Sequence, residues 1–500
     1  MSILVLIATL LAFALPVAYL VNGIVPDPYM DEIFHVPQAQ RYCKRDFYTW
    51  DPMITTLPGL YLVSLVFESM VSWIPGMDLC TLNALRSINI LLSLVCVCLF
   101  RSILLHLDPK VSERALLLKS VVLALYPLHW FFTFLYYTDV GSTAAVMAMY
   151  LACLKRSYWI SATLSILAIM FRQTNAVWTV FGLCVGVIQF LQEAISSSKE
   201  EEAVDDTEKT PDKRYSESKF LRRRRVRRTA ETKHATHFTG RHSDLQDAIL
   251  NAWQRKWFAA RQFSPFVLVI LAFLAFVVYN GSIVVGAKDA HRASPHFAQP
   301  LYFALFTAGV LAPLQLSLNR FSSLRQVFRE TPALACLSGA VTASIAIVAV
   351  HFFSLAHPYL IADNRHYTFY IWKDIIQTHW CVKYLLIPLY IFCWWSIIHS
   401  LLENLRDAGV RTPLLQKLWV VSFCGAVIAV LVPAPLVEFR YFTVPFYLVA
   451  LHSFAKLQVS SWKFWFMAME FLVVNALTMR LFLWKPFHWA HEPGTQRFIW

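Results

Sequence analysis

Charged residues are scarce in this 500-residue chain. Asp, Glu, Lys and Arg make up 15% of it, whereas a soluble globular domain carries about a quarter. Hydrophobic residues make up 57%, and many lie in runs that approach the roughly 20 residues needed to cross a bilayer. The composition therefore argues against an ordinary soluble enzyme and predicts a bundle of membrane-spanning helices.

Cysteine pairs with the CxxC spacing are also missing. The ten cysteines include no CxxC pair, which argues against a zinc site or thioredoxin-like chemistry. Most of them lie inside apolar runs. Cys43 and Cys80 lie outside the clearest spans, and we do not expect a disulfide between them.

The apolar runs predict about thirteen transmembrane helices. They lie at 2–22, 86–105, 115–135, 140–155, 157–172, 174–193, 264–281, 299–318, 333–355, 380–398, 416–433, 442–457 and 464–484. The first run lacks a basic N-terminal region, so we interpret it as an uncleaved helix.

Basic residues set the orientation. The net charge is +13, and a large share of it lies in 195–263, which positive-inside asymmetry places in the cytosol. The loop 23–54 is then lumenal. The run 55–73 is apolar enough to cross, but a crossing there would move the basic segment to the lumen. We therefore interpret 55–73 as a juxtamembrane helix on the lumenal surface.

The first lumenal loop carries adjacent carboxylates, Asp31 and Glu32, with Asp27 four residues earlier. A carboxylate held in a short loop beside a membrane helix can act as a general base. Adjacent helical residues point about 100° apart, so the two acids should not share a role. The alternative is structural: acids at a helix start favour its positive N-terminal end.

Two later lumenal segments combine cations with aromatic residues. One contains Arg365, His366 and Lys373, and the other contains Glu438 and Arg440. Arginine binds phosphate through two parallel hydrogen bonds. The alternatives are an interfacial aromatic belt for the first segment and a structural ion pair for the second. A further arginine at a span end, Arg172, could anchor phosphate or simply extend its charge to the interface.

Several strings are specific enough to suggest a family. Pro28–Tyr42 and Trp50–Tyr61 resemble the dolichyl-phosphoglucose-dependent α-1,2-glucosyltransferases, which add the last glucose to the lipid-linked precursor of N-glycosylation. The similarity continues in order through 171–175, 280–286, 362–372 and 438–442, and it spans nearly the whole chain except 195–250.

The resemblance implies an all-α polytopic membrane protein of the GT-C fold. It implies residence in the endoplasmic reticulum membrane, with the active site on the lumenal face. The donor would be dolichyl phosphate glucose, and the acceptor would be a diglucosylated lipid-linked oligosaccharide. Membrane lipids would be the other partners. We expect no metal, no other cofactor and no nucleic acid.

The resemblance also implies a mechanism, because the donor glucose is β-linked and the product is α-linked. One displacement would invert the anomeric carbon, with Asp31 as the favoured base and Glu32 as the other candidate. The expected donor-binding residues are Arg172, Arg365, His366, Tyr367, Lys373 and Arg440. The expected acceptor-binding residues are Asp27, His35, Gln38 and Trp50.

On this interpretation the chain has three parts. Residues 1–194 form an N-terminal transmembrane module with the catalytic loop 23–54. Residues 195–263 form a cytosolic charged loop, disordered over 195–242, followed by an amphipathic helix. Residues 264–500 form a C-terminal transmembrane module with lumenal donor-binding loops. The competing functions are a flippase for a lipid-linked sugar and a non-catalytic membrane regulator; clustering of charge at one face argues against the flippase.

Overall fold

The computed structural model describes residues 3–71, 80–208, 253–289, 292–410, 412–490 and 492–500. Helices dominate these residues, and their only sheet is a two-stranded antiparallel hairpin. The first nine helices are α1 Ile3–Ile24, α2 Glu32–Cys43, α3 Gly59–Val71, α4 Leu82–Leu107, α5 Glu113–Ala124, α6 Pro127–Phe132, α7 Thr138–Leu154, α8 Tyr158–Phe171 and α9 Asn175–Glu208.

The second half of the chain continues the bundle. Its α-helices are α10 Lys256–Asn280, α11 Gln299–Val310, α12 Ala312–Gln315, α13 Leu318–Glu330, α14 Pro332–Phe353, α15 Pro358–Ala362, α16 Tyr367–Ile371, α17 Val382–Leu385, α18 Ile387–Asp407, α19 Pro413–Leu431, α20 Thr443–Lys456 and α21 Trp462–Trp484. A π-helical turn covers Trp372–Ile376, and a 3₁₀ turn covers Phe439–Phe442. The hairpin strands are β1 Phe487–Trp489 and β2 Glu492–Gln496.

Membrane-spanning character is confirmed. Within the described ranges, eight helices are long and apolar enough to cross a membrane, or nine if one bent pair is a single span. Three further predicted spans, α7, α8 and α20, have 17, 14 and 14 residues, so they are only about 26, 21 and 21 Å long. Since α7 is buried along almost its whole length, it lies inside the bundle.

Two predicted spans are interrupted. The run 115–135 is not one helix, because α5 ends at Ala124 and α6 begins at Pro127; the residue before a proline is pushed out of the helical region. The run 299–318 bends by 97° between α11 and the helices that follow it. Pro313 lies in the first turn of α12, where a missing N–H is tolerated.

The juxtamembrane run 55–73 contains α3, which packs against α2 and α8. Its 13 residues span about 20 Å, less than the roughly 30 Å hydrocarbon core. Gly59 begins α3 in close contact with α8. A Cβ there would lie 2.5 Å from the backbone carbon of Met170, so only glycine allows this approach.

The expectation about the disulfide was wrong. Cys43 and Cys80 form one, with their Cα atoms 6.4 Å apart. Cys43 ends α2 and Cys80 lies two residues before α4; Nε2 of Gln40, on α2, donates to the carbonyl of Cys80 at 3.0 Å, which holds the two segments together. The bond ties the end of α2 to the residues just before α4, a long span.

The charged segment also departs from the prediction at its start. The helix α9 continues to Glu208, so residues 195–208 are helical rather than disordered. The rest of the predicted disordered stretch, and residues 243–252 of the predicted amphipathic helix, lie outside the described residues. From Trp253 the chain is helical and leads into α10.

Candidate active site

A cavity of about 780 Å³ lies where the polar segments meet. All the segments predicted to be lumenal, from the first loop to 438–442, contribute to its lining, together with residues near the C-terminal end. Half of the predicted site residues line it. They are Asp31, His35, Arg172, Arg365, His366 and Arg440.

Asp31 is the N-cap residue of α2. Met30, just before it, has φ 56°, a left-handed conformation uncommon for a side-chain-bearing residue. The backbone N–H of Asp31 donates to the hydroxyl of Tyr137 at 3.0 Å. Its carboxylate accepts a hydrogen bond from Arg440 Nη1 at 2.7 Å and remains 38% exposed. This geometry presents a fixed carboxylate to the cavity.

Arg440 determines the charge state of Asp31. Burial raises the pKa of the Asp31 carboxyl, but the positive charge and hydrogen bond of Arg440 outweigh burial and lower that pKa to about 2. Arg440 also donates from Nε to Glu438, whose pKa is lowered because the same guanidinium overcomes its burial. One arginine therefore holds two ionised carboxylates.

Arg172 reaches the cavity from the end of α8. Its Nη2 donates to Asp139 at 3.0 Å, and its Nε donates to the hydroxyl of Thr138 at 3.2 Å. Asp139 and Thr138 lie in the first turn of α7. The ring of Tyr441 lies 5.9 Å from the guanidinium carbon. Arg172 is thus oriented by α7 while still lining the cavity.

Arg365 forms a paired hydrogen bond with Asp363. Its Nε and Nη2 donate to the two carboxylate oxygens at 2.9 and 2.7 Å. Burial raises the pKa of Asp363, and hydrogen bonds from Arg365 more than offset it, so the pKa is lowered. His366 Nδ1 lies 3.2 Å from the carbonyl oxygen of Trp500. Its Nε2 lies 3.8 Å from Asp363.

His35 lies one turn after Asp31 on α2. Its Nδ1 forms a 2.5 Å hydrogen bond with the hydroxyl of Tyr61, which fixes the ring. Burial lowers the pKa of His35 to about 4, so the imidazole is neutral at physiological pH. A neutral imidazole can orient a sugar hydroxyl but does not add charge to the site.

Glu32, the other candidate base, does not reach the cavity. It is fully buried and accepts hydrogen bonds from Arg86 Nε at 2.9 Å and Nη2 at 2.6 Å. It also accepts from the backbone N–H groups of Tyr136 and Tyr29 at 2.6 and 3.1 Å. Four donors occupy this carboxylate, so the geometry assigns it to packing the first loop against α4.

The remaining predicted residues lie away from the lining. Gln38 is fully buried and bonds to the backbone of Thr49 and Asp51. Trp50 packs edge-on against Tyr61. Asp27 and Lys373 are exposed, and Tyr367 is partly buried.

The sequence interpretation missed the C-terminal wall. Trp489, Ile499 and Trp500 line the cavity, although the predicted elements ended at residue 484. The available signal was the aromatic enrichment of 487–500 after the last apolar run. Asp139, which the sequence interpretation did not single out as a site residue, also lines the site and pairs with Arg172.

The lining combines charge with an apolar flank. The charged groups are Asp31, Asp139, Asp363, Glu438, Arg172, Arg365 and Arg440. The apolar flank includes Val177, Phe273, Ile283, Val430 and Val444. Within the described ranges, no group of three or more His, Cys, Asp or Glu residues is arranged to hold a metal ion. The expectation that no metal is needed stays a prediction.

A mainly helical membrane bundle with four carboxylates, three arginines and an apolar flank in one cavity defines a polytopic membrane protein with an amphiphilic site. A model of the DIE2/ALG10 family matches residues 25–451. The chain belongs to this family, which confirms the predicted resemblance.

Relatives match over almost the whole chain. A protein of Arabidopsis thaliana is 42% identical over 98% of both chains. One of Mus musculus is 36% identical over 95% of this chain and 93% of its own, and one of Homo sapiens is 35% identical over the same shares. Each is named Dol-P-Glc:Glc(2)Man(9)GlcNAc(2)-PP-Dol alpha-1,2-glucosyltransferase. No solved structure matches.

Proposed function

We propose that this protein is an inverting glucosyltransferase of the GT-C fold. It transfers glucose from dolichyl phosphate glucose to the terminal glucose of a diglucosylated dolichyl-diphosphate oligosaccharide, forming an α-1,2 linkage. The observation that carries the proposal is the cavity in which Asp31 lies beside Arg440, in a chain whose relatives carry this activity in their names. A flippase would need charge along a transmembrane path, whereas these charged residues gather in one cavity.

Asp31 is the general base. Its carboxylate takes the proton from the acceptor 2-hydroxyl while that oxygen forms a bond to the anomeric carbon of the donor glucose. The bond between this carbon and the phosphate oxygen breaks on the opposite face, and dolichyl phosphate leaves with the electron pair. The β-linked donor therefore gives an α-linked product.

The arginines stabilise the phosphate as negative charge develops on it. Preorganised cations in a partly dry site act without reorganising during the reaction. Arg365 and Arg172 line the cavity with guanidinium groups fixed by Asp363 and Asp139, so both are oriented before the donor binds. Arg440 has a second role, because its pair with Asp31 keeps the base ionised.

The apolar flank accommodates the isoprenoid chain of the donor. Val177 belongs to α9 and Phe273 to α10, and both helices are long enough to span the membrane. A lipid chain leaving the cavity between them would remain in an apolar environment, so the sugar phosphate can reach the arginines without removing the lipid from the bilayer.

The active site faces the lumen of the endoplasmic reticulum. The Cys43–Cys80 disulfide supports this orientation, because disulfides persist in oxidising compartments and are rare in the cytosol. Protease sites inserted after Gly409 and after Thr378 test this orientation in sealed microsomes to which protease is added from outside. Cleavage only after Gly409, on the side expected to be cytosolic, supports the proposal. Cleavage only after Thr378 overturns it.

The activity is tested with purified protein and defined substrates. Dolichyl phosphate glucose and the diglucosylated acceptor should give a product heavier by one hexose, and an α-1,2-specific glucosidase should remove that hexose. A β-linked product, or equal transfer from UDP-glucose without the lipid donor, would overturn the proposal. The same assay with chelator-treated protein tests the prediction that no metal is needed, because treated and untreated protein should then be equally active.

A further inference from the structure

Residues 485–500 contact the segment that carries Arg365. After α21 the chain forms the β1–β2 hairpin, and its last residues run beside Arg365–Tyr367. The backbone N–H of Ile499 donates to the carbonyl of Arg365 at 2.9 Å, and that of Tyr367 donates to the carbonyl of Ile499 at 3.3 Å. These bonds fix the backbone of the segment from one side.

The same residues hold the guanidinium of Arg365. Nη1 donates to Oε1 of Gln496 at 2.9 Å, and the guanidinium carbon lies 4.6 Å from the ring centroid of Trp489. Gln496 is 5% exposed, so water competes little for its amide oxygen. With Asp363 on another edge, the planar group is supported along its edges and on one face.

A third contact reaches the loop that carries the base. The hydroxyl of Tyr29, two residues before Asp31, donates to the carbonyl of Arg497 at 2.6 Å and accepts from its backbone N–H at 2.7 Å. The Arg497 side chain donates to carbonyls of Phe482 and Leu483 at 2.8 and 2.9 Å, near the end of α21. A membrane helix thus anchors the segment that joins both loops.

We propose that residues 485–490 and 492–500 form a positioning strap of the active site, in which Gln496 and Trp489 orient Arg365 toward the phosphate of dolichyl phosphate glucose. A guanidinium already held in one orientation loses less freedom when it binds a phosphate. Gln496 is not among the residues that line the cavity and acts through Arg365, so it is a positioning residue for donor use; Trp489, which also lines the cavity, supports one face of Arg365. This inference rests on the proposed function.

The strap predicts a selective effect of Gln496→Ala on the donor. Removing the amide oxygen lets the guanidinium move, so the KM for dolichyl phosphate glucose should rise roughly 3- to 10-fold, the usual effect of losing one hydrogen bond. The KM for the acceptor, and kcat at saturating donor, should stay within about twofold. Thr495→Ala is the matched control, because Thr495 is the exposed neighbour on β2.

A double variant tests whether Gln496 acts through Arg365. Residues in one hydrogen-bonded network show non-additive effects, so Gln496→Ala should change donor binding by less than about twofold in an Arg365→Ala background. An equal loss in both backgrounds, or an unchanged donor KM in Gln496→Ala alone, overturns the strap. If Gln496→Ala fails to fold, Trp489→Leu removes the face beneath Arg365 and should raise the donor KM likewise.

Binding of a short-chain dolichyl phosphate glucose, followed by isothermal titration calorimetry, gives the same comparison without turnover. Weaker binding in Gln496→Ala supports the strap even if the acceptor was misassigned, and unchanged binding overturns it. Wild-type protein that binds this donor but transfers no glucose would contradict the proposed function alone.

Discussion

The Asp31 carboxylate and the Arg440 guanidinium, 409 positions apart in the chain, are joined by a 2.7 Å hydrogen bond inside the cavity. The loop 23–54 and the turn before α20 therefore meet at one charge pair. Because Arg440 lowers the pKa of Asp31 to about 2, this carboxylate is ionised at physiological pH and is ready to accept a proton.

The pair makes a prediction about the pH profile. Replacing Arg440 by glutamine removes the charge that lowers the pKa of Asp31 to about 2, while burial, which raises this pKa, remains. The pKa of Asp31 should therefore rise, and the acid limb of kcat/KM for the acceptor at saturating donor should move to higher pH. The pair also contributes to the free energy of unfolding. This contribution is present above pH 3.8, the pKa of Asp31 in the unfolded chain, and is lost as the pH falls toward 2. It should be absent from the variant.

A matched control for the pH profile is Arg172→Gln, which removes a cavity guanidinium paired with Asp139 rather than with Asp31. Its acid limb should move less than that of Arg440→Gln. Acid limbs that coincide in wild type and Arg440→Gln would mean that Asp31 does not control this part of the profile.

Glu32 should be needed for folding rather than for chemistry. Glu32→Gln leaves the Arg86 guanidinium, which is 1% exposed, without a charged partner. Breaking a buried ion pair on one side costs about 3–5 kcal/mol, so the variant should unfold at lower temperature or aggregate in detergent. Size-exclusion chromatography and thermal melting check this; a stable but inactive Glu32→Gln protein would return Glu32 to the list of candidate bases.

Donor binding should separate two cations that the sequence placed in one cluster. Arg365 lines the cavity, whereas Lys373 is exposed, with its ammonium 5.6 Å from the ring centroid of Phe369. Arg365→Ala should raise the donor KM roughly 10- to 100-fold, as expected for a lost charge-assisted hydrogen bond. Lys373→Ala should leave the donor KM unchanged. Steady-state kinetics with varied donor concentration measure both effects. An equal rise of the donor KM in the two variants would argue for a diffuse electrostatic role of these cations.

The Cys43–Cys80 bond should stabilise the loop 23–54. It closes a sequence separation of 37 residues, for which chain-entropy arguments give about 2–4 kcal/mol. The Cys43→Ser/Cys80→Ser protein should melt at lower temperature, and Cys336→Ser, which alters an exposed free cysteine, should not. Melting in detergent with and without reductant measures the effect. An unchanged melting temperature would show that helix packing alone holds the loop.

Sequence patterns predicted the membrane bundle, and half of the residues predicted for the site line the cavity, for a physical reason. Apolar runs and basic loops fix which segments share a membrane face, so Asp31 and Arg440 were both expected on the lumenal side. The choice between Asp31 and Glu32 could not follow from local pattern, because both are acids on one turn. Their partners distinguish them: Arg86, from α4, holds Glu32 outside the cavity lining, whereas Arg440 holds Asp31 within it.

The sequence was least informative about contacts between distant segments. The disulfide depends on where α2 ends relative to α4, and the strap depends on a hairpin folding back from α21 onto Arg365. Neither element has a hydropathy signal that reveals its partner. Gly286 is a further case: a Cβ there would lie 2.3 Å from the carbonyl oxygen of Pro52, a constraint invisible before the loops are packed.

The most direct test of the account is the single-turnover rate of Asp31→Asn with saturating dolichyl phosphate glucose and diglucosylated acceptor. Asparagine keeps the size of the side chain but lacks a basic carboxylate, and losing a general base costs about 10²- to 10⁴-fold in rate. The account predicts a folded protein that binds the donor and transfers glucose at least about a hundredfold more slowly than wild type. Near-wild-type transfer by Asp31→Asn would contradict it.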